Sequence, residues 1–141
     1  MRAFFDTNVL VYLFDAGAPD KQRLAGALLE REAALGRATL STQVLQEFYV
    51  AVTRKLAVPL ACEPAVRALR ALSELSVVHV DVAMILEATA TADRFRFSFW
   101  DALIVQAARL GGASVLYTED LRHDQVVEGV RIVNPFMEQT E

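Results

Sequence analysis

Arg2-Ala3-Phe4-Phe5-Asp6-Thr7-Asn8-Val9-Leu10 opens as a short apolar run that ends in an acid, passes a polar turn and resumes with apolar residues. That reads as a strand feeding a helix. The arrangement returns late in the chain, where Ala113-Ser114-Val115-Leu116-Tyr117 runs into Thr118-Glu119-Asp120. Two acids therefore leave the carboxyl ends of two predicted strands, which is where open parallel sheets place ligands.

Helical signals fill the interval. Pro19-Asp20 opens a predicted helix to about Leu35, with Leu24, Ala27, Leu28 and Ala34 as its apolar spacing and Gly36 as its stop. Ala38-Thr39-Leu40 reads as a strand, and Ser41 or Thr42 caps a helix from Gln43 to about Leu56, ended by Pro59. A further helix is expected from about Pro64 to Leu75. Val77 to Val80 reads as a strand, with Asp81 capping an Ala-rich helix to about Ala92. Ser98 then starts a helix from Phe99 to Leu110 that is apolar on nearly every side, so it belongs in the core. Asp101 occupies N3 of that helix, where the helix dipole favours its ionised form. Gly111-Gly112 ends the helix, and Val130 to Val133 supplies the last strand before Asn134-Pro135. Short strands alternating with long helices predict an α/β fold, a mostly parallel sheet covered on both faces.

At 141 residues, with 54% apolar, the chain has the size of one domain, and residues 1–141 are expected to form one, with only the tail 138–141 frayed. The lone Cys62 has no partner for an internal disulfide, and two histidines with one cysteine cannot assemble a Cys/His zinc site. A reducing cytoplasm is the expected compartment, with no export signal and no membrane span. The net charge of −4 argues against a broadly basic surface that coats nucleic acid. It leaves room for a local basic rim.

Glu47 joins the two strand-end acids when residues are placed at about 100° intervals along its helix. Val44, Leu45, Phe48, Ala51 and Val52 form one apolar sector, and Glu47 falls on its border. Singly, each acid has an ordinary role as a cap, turn former or solvated helix residue. Together, Asp6, Glu47, Asp101 and Asp120 would share one end of a parallel sheet. Carboxylates about 5 Å apart repel by roughly 3 kcal/mol per pair at an effective dielectric near 20, so a cluster calls for protonation or a cation. An all-oxygen set selects hard ions, Mg²⁺ or Mn²⁺.

The chain resembles the PIN-domain ribonucleases, most closely the VapC-type toxins of prokaryotic toxin–antitoxin pairs. The resemblance lies in Phe5 to Leu10, in Ser41-Thr42-Gln43-Val44-Leu45-Gln46-Glu47-Phe48, and in Ser98-Phe99-Trp100-Asp101-Ala102-Leu103-Ile104-Val105. Leu116 to Leu121 and Val130 to Phe136 complete it, so nearly the whole chain is covered. It implies a three-layer α/β/α sandwich and a metal-dependent endoribonuclease. Asp6, Asp101 and Asp120 are then the principal metal ligands, with Glu47 acting directly or through water, and Asn8 and Thr118 supporting them. Glu119 and Asp124 are open as further ligands. A coordinated water would attack phosphorus in line. The resemblance also implies an RNA substrate, a small cognate antitoxin and a homodimer.

Arg54, Lys55, Arg94, Arg96, Arg122 and His123 flank the acids in sequence and are candidate RNA contacts, against the plain reading of solvated surface charge. Tyr49, Phe95, Phe97 and Trp100 are candidates for base stacking, against core or partner packing. The competing function is a non-catalytic PIN-like module that binds RNA or protein. A phosphatase with an aspartate nucleophile would call for Asp-x-Asp, whereas the chain has Asp6-Thr7-Asn8.

Overall fold

The computed structural model describes residues 1–137. The tail expected to fray, 138–141, lies outside the described residues. Six strands, β1 (Arg2–Phe5), β2 (Ala38–Ser41), β3 (Ser76–Val78), β4 (Ala113–Tyr117), β5 (Val126–Val127) and β6 (Val130–Val133), form one sheet. Their order is β3-β2-β1-β4-β6-β5, parallel throughout except for the β5–β6 hairpin. The chain winds from β1 outward through β2 and β3, then returns to place β4 on the other side of β1. The crevice at the carboxyl ends of β1 and β4 is therefore the topological switch point, the place an open α/β sheet reserves for ligands. Asp6 follows β1 directly.

The helices are α1 (Thr7–Val11), α2 (Pro19–Ala34), α3 (Thr42–Arg54), α4 (Cys62–Ser73), α5 (Val82–Phe95) and α6 (Phe99–Leu110), with a 3-10 turn at Tyr12–Phe14. They flank the sheet, α5 packing on α6 and α3 on both α1 and α4. Residues 102–108 of α6 are all buried, as its continuous apolar sequence predicts. Gly111 lets that helix end close to the sheet, because a Cβ there would meet Val78 Cγ2 at 2.6 Å; Gly112 adopts φ +79° to turn the chain into β4. No helix among the described residues is long and apolar enough to cross a membrane.

Several boundaries differ from the sequence reading. β3 stops at Val78, and α4 starts at Cys62, which places Pro64 in its first turn where a missing N–H costs nothing. α5 runs on to Phe95 and closes with Arg96 in the left-handed region, φ +59°. β5 was absent from that reading. Of the apolar residues that mark the helical spacing of α2, only Leu28 is partly buried; Leu24, Ala27 and Ala34 are exposed, and the helix turns Ala25, Leu28, Leu29 and Glu32 inward. Glu32 is only 3% exposed, and its carboxylate accepts from Arg37 Nε at 2.9 Å and from Arg31 Nη2 at 3.4 Å. A buried acid with arginine partners can displace an alanine from the inner face.

Candidate active site

Four elements deliver the four acids. Asp6 follows β1 and caps α1, accepting from Thr7 N at 2.7 Å; it is 5% exposed. Glu47 lies one turn into α3, whose cap Ser41 accepts from Val44 N at 3.3 Å, and whose Val44, Phe48 and Val52 are buried. Asp101 sits in the first turn of α6, its N–H donated to the capping Ser98 Oγ at 3.1 Å. Asp120 stands beyond β4. Exposure rises from buried Asp6 through half-buried Glu47 and Asp101 to exposed Asp120.

Neutral donors hold this set. Thr118, itself fully buried, donates its hydroxyl to Asp6 Oδ2 at 2.9 Å and accepts from Asp120 N at 3.1 Å. Asn8 Nδ2 donates to Asp120 Oδ2 at 2.9 Å, to Thr118 Oγ1 at 3.2 Å and, at 3.4 Å, to Asp6 Oδ2, while its Oδ1 accepts from Glu119 N. Thr7 Oγ1 donates to Glu47 Oε1 at 2.7 Å, and Gln43 Nε2 donates to Glu47 Oε2 at 3.3 Å. Asn8 and Thr118, the two neutral residues expected beside the acids, both hydrogen-bond to Asp6, and Asn8 also to Asp120. Thr7 and Gln43 were missed, although Gln43 precedes Glu47 by one helical turn and so shares its face.

Burial pushes the Asp6 carboxyl up to about 7, opposed by the Thr118 and Thr7 hydrogen bonds and reinforced by the Asp120 and Glu47 charges. Asp101 is also raised, by burial first and then by Asp120 and Glu47, with Ser98 opposing. The four acids therefore form one electrostatic group. Among the described residues, no three Asp, Glu, His or Cys side chains already close on a single point where an ion could be held. The oxygen-only donor set and its mutual repulsion fit a hard divalent cation.

Beside the acids runs an open groove of about 690 Å³, lined in part by Thr7, Asn8, Glu47, Trp100 and Asp120. Asp6 and Asp101 do not line it. Trp100 is 61% exposed, its ring meeting Phe99 edge-on at 5.2 Å. Of the six basic candidates, only Lys55 lines the groove. Arg54, Arg94, Arg96 and Arg122 are exposed elsewhere; Arg94 stacks over Phe95 at 5.1 Å, and His123 Nδ1 accepts from Asn134 N at 3.0 Å. Glu119 and Asp124 have cations of their own. Lys21 Nζ reaches Glu119 Oε2 at 3.0 Å and Tyr12 OH donates to Glu119 Oε1 at 2.6 Å, while Arg131 Nε donates to Asp124 Oδ1 at 2.7 Å.

The PIN domain family profile matches residues 3–129, a span that takes in all four acids. The chain belongs to the PIN domain family. Its central, mostly parallel sheet flanked by helices is the PIN-like α/β/α sandwich. Solved structures similar to this PIN domain include a toxin–antitoxin complex from Klebsiella pneumoniae, 23% identical, covering 95% of this chain and 98% of that one, TM-score 0.71. Another is VapC20 of Mycobacterium tuberculosis, a Sarcin–Ricin loop cleaving toxin, 22% identical over 81% of this chain and 86% of its own, TM-score 0.61. VapBC2 from Rickettsia felis, bound to a DNA fragment from its promoter, is 17% identical over 94% and 97%, TM-score 0.64. No curated protein matches the sequence.

Proposed function

We propose that this PIN domain is a divalent-cation-dependent endoribonuclease of the VapC toxin type, a single domain that acts on RNA and is restrained by a small cognate antitoxin. The observation that carries the proposal is the electrostatic union of Asp6, Glu47, Asp101 and Asp120 at the switch point, each supplied by a different element. The similar structures support the substrate and partner: one is a toxin that cleaves the Sarcin–Ricin loop, and others contain toxin with antitoxin. A homodimer and a cytoplasmic setting are part of the same proposal.

In this reading Asp6, Asp101 and Asp120 are the principal ligands of Mg²⁺ or Mn²⁺, one ion or two, and Glu47 joins directly or through water. The bound cation supplies Lewis acidity, lowering the pKa of water and offsetting charge on the phosphate. Asn8 and Thr118 fix the spacing of Asp6 and Asp120, and Thr7 and Gln43 aim the Glu47 carboxylate. Lys55 draws the RNA backbone into the groove, and the exposed Trp100 indole offers a stacking face to an unpaired base. Phosphate binding by the remaining basic candidates, Arg54, Arg94, Arg96, Arg122 and His123, would extend the track outside the groove.

The test is cleavage of a pool of cellular RNAs by purified protein with Mg²⁺ or Mn²⁺ and with excess EDTA, reading fragment ends by sequencing. Discrete cuts that vanish in EDTA are expected. Saturable cation binding without cuts would favour the non-catalytic binding module.

Neighbouring acids separate by role in a second prediction. Asp120→Asn lowers cleavage by about 100-fold or more, as loss of a cation ligand should. Glu119→Gln leaves cation affinity nearly intact and destabilises the fold by about 1 kcal/mol, because Lys21 and Tyr12 lose a charged, partly exposed partner. Cation binding and urea unfolding of the two variants check this, and equal losses of affinity would remove the distinction.

A further inference from the structure

Gln43 is 5% exposed, and its Oε1 is the one buried side-chain nitrogen or oxygen among the described residues that lacks a hydrogen-bond partner. Such atoms are rare in folded proteins and call for an explanation. The orientation of the amide follows from its surroundings. Nε2 lies 3.3 Å from Glu47 Oε2 and 3.3 Å from the Trp100 carbonyl, two groups that only accept. Exchanging the nitrogen and oxygen would set three acceptors against one another, so the unpartnered atom is the oxygen. Its neighbours on α3, Val44 and Phe48, are apolar and fully buried. An apolar residue at 43 would fill the space without an orphaned acceptor.

The two groups that Gln43 does hold identify its place. Glu47 is the acid of α3, and Trp100 directly precedes Asp101, the acid of α6. One amide therefore spans the two acids that arrive on different helices, and the residue also lines the groove. A neutral donor at that place steadies Glu47 without adding charge to a cluster that already repels itself.

We infer that Gln43 is a positioning residue of the cation site: its nitrogen ties Glu47 to the entrance of α6, and the cost of its orphaned oxygen is borne for that tie. This rests on the proposed cation-dependent function and adds a neutral residue to the four acids.

Gln43→Met keeps the length and most of the volume while removing both polar atoms. Two readouts are compared with wild type: Mn²⁺ affinity by calorimetry or electron paramagnetic resonance, and urea unfolding in EDTA. The Mn²⁺ dissociation constant is expected to rise about 10- to 100-fold, the usual cost of losing a partner that orients ligands, with no fall in the metal-free unfolding midpoint. Unchanged Mn²⁺ affinity would overturn the inference, as would a lower midpoint with affinity intact, which is what a purely structural glutamine would give. Wild type that binds no Mn²⁺ would overturn the proposed function as well, so the two failures are distinguishable. Should the variant not fold, the wild-type Gln43 side-chain amide resonances decide the matter in a Mg²⁺ titration. Their shifts are expected to saturate together with those of the Asp6 and Glu47 backbone amides; no shift would overturn the inference.

Discussion

Asp6→Asn abolishes metal-dependent RNA cleavage, with a loss of at least about 10³-fold, and leaves the protein folded. The magnitude follows from the several kcal/mol of charge stabilisation that a correctly held cation supplies, at about 1.4 kcal/mol per factor of ten. The preserved fold follows from the local structure. Asn caps helices as well as Asp does, so α1 keeps its cap through Thr7 N. What Asn cannot replace is the carboxylate Oδ2 that accepts from Thr118, nor the negative charge the cation requires. The check is single-turnover cleavage of the RNA identified from the pool, alongside circular dichroism and thermal unfolding. A folded variant that retains cleavage would remove Asp6 from the chemistry; an unfolded one would make its role structural.

Metal-free protein loses stability as pH rises from about 4 toward 7. The Asp6 carboxyl titrates at about 7 in the fold against an ordinary value of 3.8, because burial disfavours its charge. Between those values the folded state binds the proton and the unfolded state does not, so raising the pH favours unfolding. A shift of that size corresponds to an upper bound of about 4 kcal/mol, at 1.36 kcal/mol per pH unit. That is a large share of the roughly 5–15 kcal/mol typical of a domain. Asp101, raised in the same direction, adds to the slope. Urea unfolding in EDTA at a series of pH values should show stability falling across this window, and Asp6→Asn should flatten the curve. Saturating Mn²⁺ should restore stability on the alkaline side by mass action. A wild-type curve that is flat or rising would mean that Asp6 ionises normally, and the buried-acid account would fail.

These effects trace to residues that were legible in the sequence for different reasons. Phe4-Phe5-Asp6 and Leu116 to Asp120 announced themselves because a strand ends abruptly in polar residues, and adjacent parallel strands must deliver such ends to one place. Ser98 and Asp101 were visible as a cap and its first turn, and the apolar circumference of α6 required burial. The remainder depended on contacts between distant segments. Thr7 carries no signature of donating to Glu47 until α1 and α3 are packed together, whereas Gln43 stands one helical turn before Glu47, a spacing the sequence does display. β5 is two residues long and exists only through pairing with β6, below the length at which alternation can be read. The inward position of Glu32 on α2 was not legible either, because its partner Arg37 lies beyond the helix. The pairing of Glu119 with Lys21 and Tyr12, and of Asp124 with Arg131, likewise joins segments that the sequence does not show to be neighbours.

The most direct test of the claim that these four acids hold a cation is anomalous scattering from a crystal grown with Mn²⁺. The account predicts a peak with carboxylate oxygens of Asp6, Asp101 and Asp120 at coordination distance, about 2.2 Å, and Glu47 within reach of one of its waters. A peak elsewhere, or none at a Mn²⁺ concentration that supports cleavage, would contradict it.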